Sequence, residues 1–509
     1  MVNTAEPLAP TSYRPHRGKL AAGALRRRRV TTWGVAATVS CLLAASGVAA
    51  YAGDAHSTSS ITAAAKAGAC IEQPEDVQPG GLPPATPATL ATLHQAYNCI
   101  LDNAYAGSET DTRVMLRDAF QSITQELMRR DLDQPTASIA NLTGHRDQDW
   151  ASFAKAYQQV IAGLPGNTAA QQAVASAAVA GMLSALGDDH AHWDDGSIPD
   201  PGATTVYTYG FVPVPSGRMT ASITDAAPPL YILKVRPGEP ADKAGLKPGD
   251  IIIGVNDLPT VSNGLINGGV LTPLTAGSAT DTVRLTVQRP ATGKTSTVEL
   301  HAVGVTTPLI PTVSVTLLPG GIAEVTIPAF TPTAGDEALA GIANLRQTTQ
   351  LHGVIFNVRG NGGGRDEPVT QLISSLVHNK LLSKNCDIHN NCTDNHTDDA
   401  IPLLNLPITL ITDATCASAC EDFTADIKFL NLGKVIGQRT AGVVSGTQRG
   451  FALTNNTILV MPTQHRIWAN GELVDTIGVP VDYQIPYTAQ DISKAIDPGL
   501  DKARTLLGS

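Results

Sequence analysis

The sequence lacks a basic balance. Its 509 residues carry 35 Lys and Arg against 45 Asp and Glu, giving a net charge of −10, which argues against nucleic acid as a partner. Only one dense basic run is present, Arg26-Arg27-Arg28-Arg29, and it stands directly before the charge-free apolar stretch 32–52. That stretch ends in Ala50-Tyr51-Ala52, a small-x-small cleavage pattern. Residues 1–52 therefore read as an export signal, with an uncleaved anchor as the rival reading. The usual zinc spacings are also missing. Beyond Cys41 in the apolar stretch there are six cysteines: Cys70, Cys99, Cys386, Cys392, Cys416 and Cys420. Cys-x5-Cys and Cys-x3-Cys are unlike structural zinc sites. An even count behind an export signal fits disulfides in an oxidising compartment. Cys70–Cys99 would tether a loose N-terminal segment, and Cys416–Cys420 would bridge one helical turn. Cross-pairing with Cys386 and Cys392 stays open.

The length implies several domains. Residues 53–85 are rich in Ala, Ser, Thr, Pro and Gly and read as a linker. Residues 86–204 form a mostly helical N-terminal region, interrupted by a polar stretch from Asp131 to Asp149. From 205 to 303 short β-type runs take over, including Tyr231–Val235, Ile251–Val255 and Val283–Val287. From 304 to 490 strands alternate with helices, as in an α/β core. Within it 380–400 reads as a polar loop, and 491–509 as a C-terminal tail.

One segment stands out for chemistry. Thr415-Cys416-Ala417-Ser418-Ala419-Cys420-Glu421-Asp422 follows the apolar strand Ile408–Thr412 and precedes a helix over Phe423–Leu430. A serine between small residues at a strand-to-helix turn can be exposed as a nucleophile. It needs a base, and donors aimed at the oxyanion. The Ala419 N–H at the helix start suits one donor. The glycine run 360–364 after a strand suits a second, from Gly363 or Gly362. The competing reading makes Ser418 a helix cap, with Glu421 completing a capping box.

Four strings carry a resemblance. Pro240-Ala241-x-x-Ala244-Gly245-Leu246-x-x-Gly249-Asp250 resembles a PDZ domain, which binds an extended chain end as an added strand. By that resemblance Tyr209-Gly210-Phe211-Val212 takes the place of the carboxylate-binding loop and its strand. Gly353 to Gly364, Ser418-Ala419-Cys420-Glu421 and Val435 to Thr440 are similar to motifs of C-terminal processing (tail-specific) proteases. The implied fold is α/β: a helical N-terminal region, a PDZ domain, and an α/β protease core of the ClpP/crotonase-like kind.

There is one departure. The family's dyad lysine falls at Val443, which cannot be a base. Lys428 and Lys434 are nearby substitutes. Leu186-Gly187-Asp188-Asp189-His190 resembles a string of the tricorn-like relatives, which pair the serine with a histidine. This makes His190 the candidate base, with His192 as alternative. A solvated loop and a metal site at Asp188, Asp189, His190, His192, Asp194 and Asp195 are the competing readings. Asp475-Thr476-Ile477-Gly478-Val479-Pro480-Val481-Asp482 resembles the late acidic string, which assigns Asp475 as orienting acid and Glu472 as alternative. The sequence thus points to an exported serine endopeptidase acting on polypeptides through Ser418, His190 and Asp475, with no metal or organic cofactor. The alternatives are a catalytically inactive peptide-binding scaffold and an esterase or amidase.

Overall fold

The computed structural model describes residues 70–72, 85–105, 110–164, 166, 168–188, 190–194, 205–216, 227–306, 313–444, 446–471, 474–475 and 477–508. The export segment 1–52, most of the linker 53–85, Asp189, Asp195 and Glu472 lie outside the described residues.

Four helices build the N-terminal region: α1 (Leu90–Asn103), α2 (Thr112–Arg129), α3 (Arg146–Gly163) and α4 (Thr168–Ser184). The expected polar break at 131–149 ends early, because α3 already starts at Arg146. Asp149 in its first turn accepts the backbone N–H groups of Thr143 and Gly144 and so fixes that start. The four-helix core, with Tyr97, Met115 and Phe153, is not self-contained. It takes in Phe451, Leu459 and Met461 from far along the chain. Those residues sit on the hairpin Gln448–Ala452 and Ile458–Pro462. The same hairpin pairs with Ile71–Glu72 on one side and His192–Asp194 on the other.

The PDZ region contains β1 (Phe211–Pro215), β2 (Leu230–Val235), β3 (Ile251–Val255), β4 (Thr282–Arg289) and β5 (Lys294–His301). They lie in the order β5-β4-β3-β2-β1, which leaves β1 at the edge. Val283, Leu285 and Val287 alternate into its core, as period-2 patterning requires.

The third body is a six-stranded sheet. Its strands are β6 (Ser314–Leu318), β7 (Ile322–Thr326), β8 (Gly353–Asn357), β9 (Ile408–Thr412), β10 (Gly433–Gly437) and β11 (Tyr483–Gln484), hydrogen-bonded in that order. From β7 onward every pair is parallel. Both faces are covered, so the strands read as continuous apolar runs. Ala323, Val325, Val354, Phe356, Leu410 and Val435 face a core that also holds residues of α5 (Ala334–Thr348), α6 (Asp366–Ser374) and α7 (Ala419–Phe429). Ile322, Ile355, Ile411 and Ile436 face the other way.

Two regions depart from the sequence reading. The supposed loop at 380–400 contains the strands Leu381–Asp387 and Cys392–His396, joined across Cys386–Cys392. Its outer strand is largely exposed and so carries no apolar signature. The supposed tail at 491–509 contains α9 (Pro498–Leu506), whose Leu500 and Ala503 cover the second face of the sheet. Just before it, α8 (Ala489–Ser493) packs against the PDZ region: Gly249 abuts Ser493 and Ala489, and the Ala291 N–H donates to Ser493 Oγ.

Candidate active site

Parallel strands deliver their following loops to one edge of the sheet, where open α/β sheets build sites. Here β8, β9 and β10 are neighbours. The loops after them are the glycine turn 360–364, the Ser418 turn and the segment 438–443.

Ser418 stands at the head of α7 with φ 54° and ψ −129°, a region that disfavours any residue with a Cβ. Its side chain makes no capping hydrogen bond, so the cap reading falls. Glu421, the supposed partner in that cap, is engaged elsewhere. Its carboxylate accepts from Thr440 Oγ1, the Gly442 N–H and the Val443 N–H. The Val443 carbonyl in turn accepts the Ser418 N–H at 2.7 Å. One buried carboxylate thus shapes the chain that holds the serine's backbone, a role unseen in the sequence. The structure also joins Cys416 to Cys420 across the same turn and Cys70 to Cys99 in the N-terminal region.

Burial lifts Glu421 to about 7, against the pull of its three donors. Between its ordinary value of 4.5 and about 7 the folded state holds a proton that the unfolded chain has released. The stability this contributes is complete below that window and is lost as pH rises through it. Glu421→Gln should flatten that slope. It should also cost about 1–3 kcal/mol, because an amide N–H₂ would then face a donor. Urea unfolding across that pH range is the check, and an unchanged midpoint and slope would refute the role.

The glycine turn lies against the serine. A Cβ on Gly363 would fall 2.7 Å from Ser418 Cβ and 2.8 Å from the Ala417 carbonyl oxygen, so only glycine fits. Its N–H, however, donates to Asn361 Oδ1 at 2.7 Å. Gly363 is therefore corrected as an oxyanion donor in this arrangement. The Gly362 and Ala419 N–H groups have no acceptor among the described residues. Asp413 ties the two turns together by accepting from the Gly360 N–H and from Thr415.

The substitute lysines are corrected by position. Lys428 Nζ is paired with Asp482 at 2.7 Å. Lys434 is exposed and level with Thr409, at the opposite end of β9 from the Ser418 turn. Val443 is buried in a small apolar cluster with Ala417 and Ala441.

His190 comes from the N-terminal side, two residues before the strand His192–Asp194. The strand His192–Asp194 runs antiparallel to Ile458–Pro462, so the chain before it heads for Pro462. Pro462 pairs with Gln448, where the loop through Val443 ends. No hydrogen bond joins His190 or His192 to Ser418 among the described residues. Burial pushes the His190 imidazole below its usual range, while Asp188 pulls it upward. Asp188 Oδ1 lies 3.8 Å from His190 Nδ1 and accepts the His190 and Ala191 N–H groups. His192 is exposed, with Nδ1 2.8 Å from the His190 carbonyl oxygen. Asp475 is exposed, on the turn closed by the Gly478 N–H to Val474 O bond. Among the described residues no three His, Cys, Asp or Glu side chains could hold a metal ion.

In the PDZ region, the Tyr209 and Gly210 carbonyls accept the Ala241 and Arg236 N–H groups, respectively. Gly210 has φ 87°, and a Cβ there would meet Glu239 Cβ at 2.6 Å. Phe211 and Val212 open the edge strand β1, whose outward backbone groups are those an added strand would use.

Residues 321–485 match the model of Peptidase family S41, and residues 231–289 match a PDZ domain. The chain is 31% identical over 156 residues to the tricorn protease of Thermoplasma volcanium, covering 30% of this chain and 14% of that protein. It therefore spans about one seventh of the length of that relative. It is 22% identical over 355 residues to the carboxy-terminal processing protease CtpB of Bacillus subtilis, covering 69% of this chain and 71% of CtpB. Among solved structures, the photosystem II D1 C-terminal processing protease matches at 20% identity and a TM-score of 0.49, over 79% of this chain and 98% of that one. The two family matches, with the tricorn protease and CtpB likenesses in sequence, support the C-terminal processing protease family.

Proposed function

We propose that this chain, with its S41 peptidase match at 321–485 and its PDZ match at 231–289, is an exported serine endopeptidase. Its substrate is a polypeptide, engaged by its C-terminus along the edge strand that begins at Tyr209–Val212. Ser418 attacks the scissile carbonyl. His190 takes the hydroxyl proton and passes it to the leaving amine. The Ala419 and Gly362 N–H groups meet the oxyanion. The reaction requires no metal or organic cofactor. Export is supported by Arg26–Arg29 ahead of the apolar stretch 32–52.

One observation carries the reading. Ser418 is held at a costly positive φ while its Oγ makes no hydrogen bond among the described residues. Strain without a structural role for the side chain is the signature of a nucleophile rather than a cap. A fluorophosphonate probe tests it. Covalent labelling at Ser418 is expected in the wild type. A folded but unlabelled protein would leave a peptide-binding scaffold, the reading that Val443 favours. Ester turnover without peptide turnover would make the chain an esterase.

The orienting acid needs its own test. Sequence assigns Asp475, yet the carboxylate beside His190 is that of Asp188. Asp188→Asn is expected to lower kcat by at least about 10²-fold, short of the roughly 10⁴-fold loss for a triad aspartate. Asp475→Asn is expected to stay within about threefold of wild type. The reverse pattern in steady-state kinetics would return the role to Asp475.

A further inference from the structure

The oxyanion site is assembled from two separate pieces of chain, the glycine turn 360–364 and the Ser418–Ala419 helix start. Something must set the spacing between them, because donors act only at hydrogen-bond range. At the entry of the glycine turn the spacing is set by Asp413 on the Gly360 N–H and by the Ala417 N–H on Asn361 O at 3.3 Å. The exit is different. There the turn runs straight into α6, whose first residue is Asp366, while the serine turn runs into α7, whose first turn contains Asp422.

A third element spans these two helix starts. Arg466 lies on the strand Gln464–Trp468, which pairs with Leu381–Asp387. Its Nη2 meets Asp366 Oδ2 at 2.5 Å, its Nη1 meets Asp422 Oδ2, and its Nε donates to Asn385 Oδ1 at 3.1 Å. The Arg466 side chain is only 10% exposed. Its planar fork presents a separate nitrogen to each of three acceptors in a fixed geometry, whereas the three donors of a lysine ammonium share one nitrogen. Both carboxylates also sit in the first turns of their helices, where negative charge is favoured.

Other charges face this guanidinium. Asp426, one helical turn beyond Asp422, is buried, and Asp422 Oδ1 and Asp426 Oδ1 have no hydrogen-bond partner among the described residues. Burial and the neighbouring Asp422 push Asp426 well above the usual carboxylate range. Among the described residues, Arg466 is thus the cation that Asp366, Asp422 and Asp426 share.

We propose that Arg466 is a positioning residue for the oxyanion site, acting as a clamp that fixes the exit of the glycine turn against the nucleophile helix. The proposal rests on the serine-peptidase reading, since it assigns Arg466 a part in that reaction. It involves no contact with substrate. Arg466 acts through Asp366 on Gly362 and through Asp422 on Ala419.

Removing Arg466 outright would strand buried acids and could prevent folding, so two milder variants carry the test. Asp366→Ala cuts one arm at a side chain that is 56% exposed and leaves the buried Arg466–Asp422 pair intact. Arg466→Lys keeps the charge and loses the fork. On a peptide substrate, Asp366→Ala is expected to lower kcat about tenfold with KM within about twofold, below the 10²–10³ loss of a whole donor. Arg466→Lys is expected to fall at least as far. Amide hydrogen exchange over 360–366 is expected to quicken in Asp366→Ala while exchange in the β8 segment 353–357 stays unchanged. Unaltered kcat in both folded variants overturns the proposal. So does a rise in KM alone, or exchange over 360–366 matching wild type. If the wild type neither cleaves peptide nor takes the fluorophosphonate, the peptidase reading fails. The exchange measurement then still decides whether the clamp exists.

Discussion

Ser418→Ala should abolish peptide hydrolysis, a loss on the order of 10⁶-fold in kcat when a nucleophilic serine is removed, with folding intact. The expectation of a normal fold comes from the side chain's surroundings. Its Oγ makes no hydrogen bond among the described residues, so its removal leaves no orphaned partner. The backbone contacts that hold the turn, from the Ser418 N–H to Val443 and from the Glu421 N–H to the Ser418 carbonyl, remain in the variant. Ser418→Gly separates strain from chemistry. It too should be inactive, but it should relieve the positive φ of 54° and gain about 1 kcal/mol or more over Ser418→Ala. Thermal unfolding and a peptide assay on the same samples check both points. An active Ser418→Ala enzyme would end the case for this serine.

The second large effect belongs to His190. His190→Ala should cost several orders of magnitude in kcat/KM, comparable with loss of the serine, because members of a catalytic unit fail together. The same experiment on His192 should give a small effect, since His192 is exposed and its Nδ1 is within hydrogen-bond distance of a backbone carbonyl. A large loss at 192 and a small one at 190 would reverse the assignment. The pH profile adds a second check. Burial lowers the His190 pKa from 6.5, and the neutral imidazole is the form that accepts a proton. Activity should therefore persist below pH 6.5 and fall only as pH drops through the lowered value. The stability sign is the same: the neutral folded form is favoured above the ordinary histidine value, and that advantage is lost as pH falls through the folded one.

Much of this architecture could be read before any coordinates. The strand Ile408–Thr412 was legible because a parallel strand buried on both faces is a continuous apolar run. The PDZ region was legible because its turns demand Gly245 and Gly249, both at positive φ. Other features were hidden for physical reasons. The hairpin 381–396 has a polar, exposed outer strand, so it looked like a loop. α9 is short, and its apolar face became meaningful only once Ile411 and Ile436 presented a second sheet face to cover. At the site, Ser418 and the glycine turn were visible as local patterns. The Glu421 network was not, because its partners lie 19 to 22 positions away and one of them is a valine acting through its backbone. Arg466 was invisible for a similar reason: its acids belong to two other elements, 100 and 44 positions distant.

The bracket between the PDZ region and α8 has a consequence in time. The PDZ strands are complete at residue 301, yet the groups that hold them, the Tyr487 carbonyl and Ser493, are made nearly two hundred residues later. Until then the face carrying Val214, Tyr231 and Ile251 has no cover from Ala489 and Ile492. The N-terminal helices wait as well, since their core is finished by Phe451, Leu459 and Met461. Domains fold in order of synthesis when each is self-sufficient, and here neither of these is. The helices from residue 489 onward therefore close a body that began to form long before, and a product cut short before residue 450 would lack a finished core around its N-terminal helices.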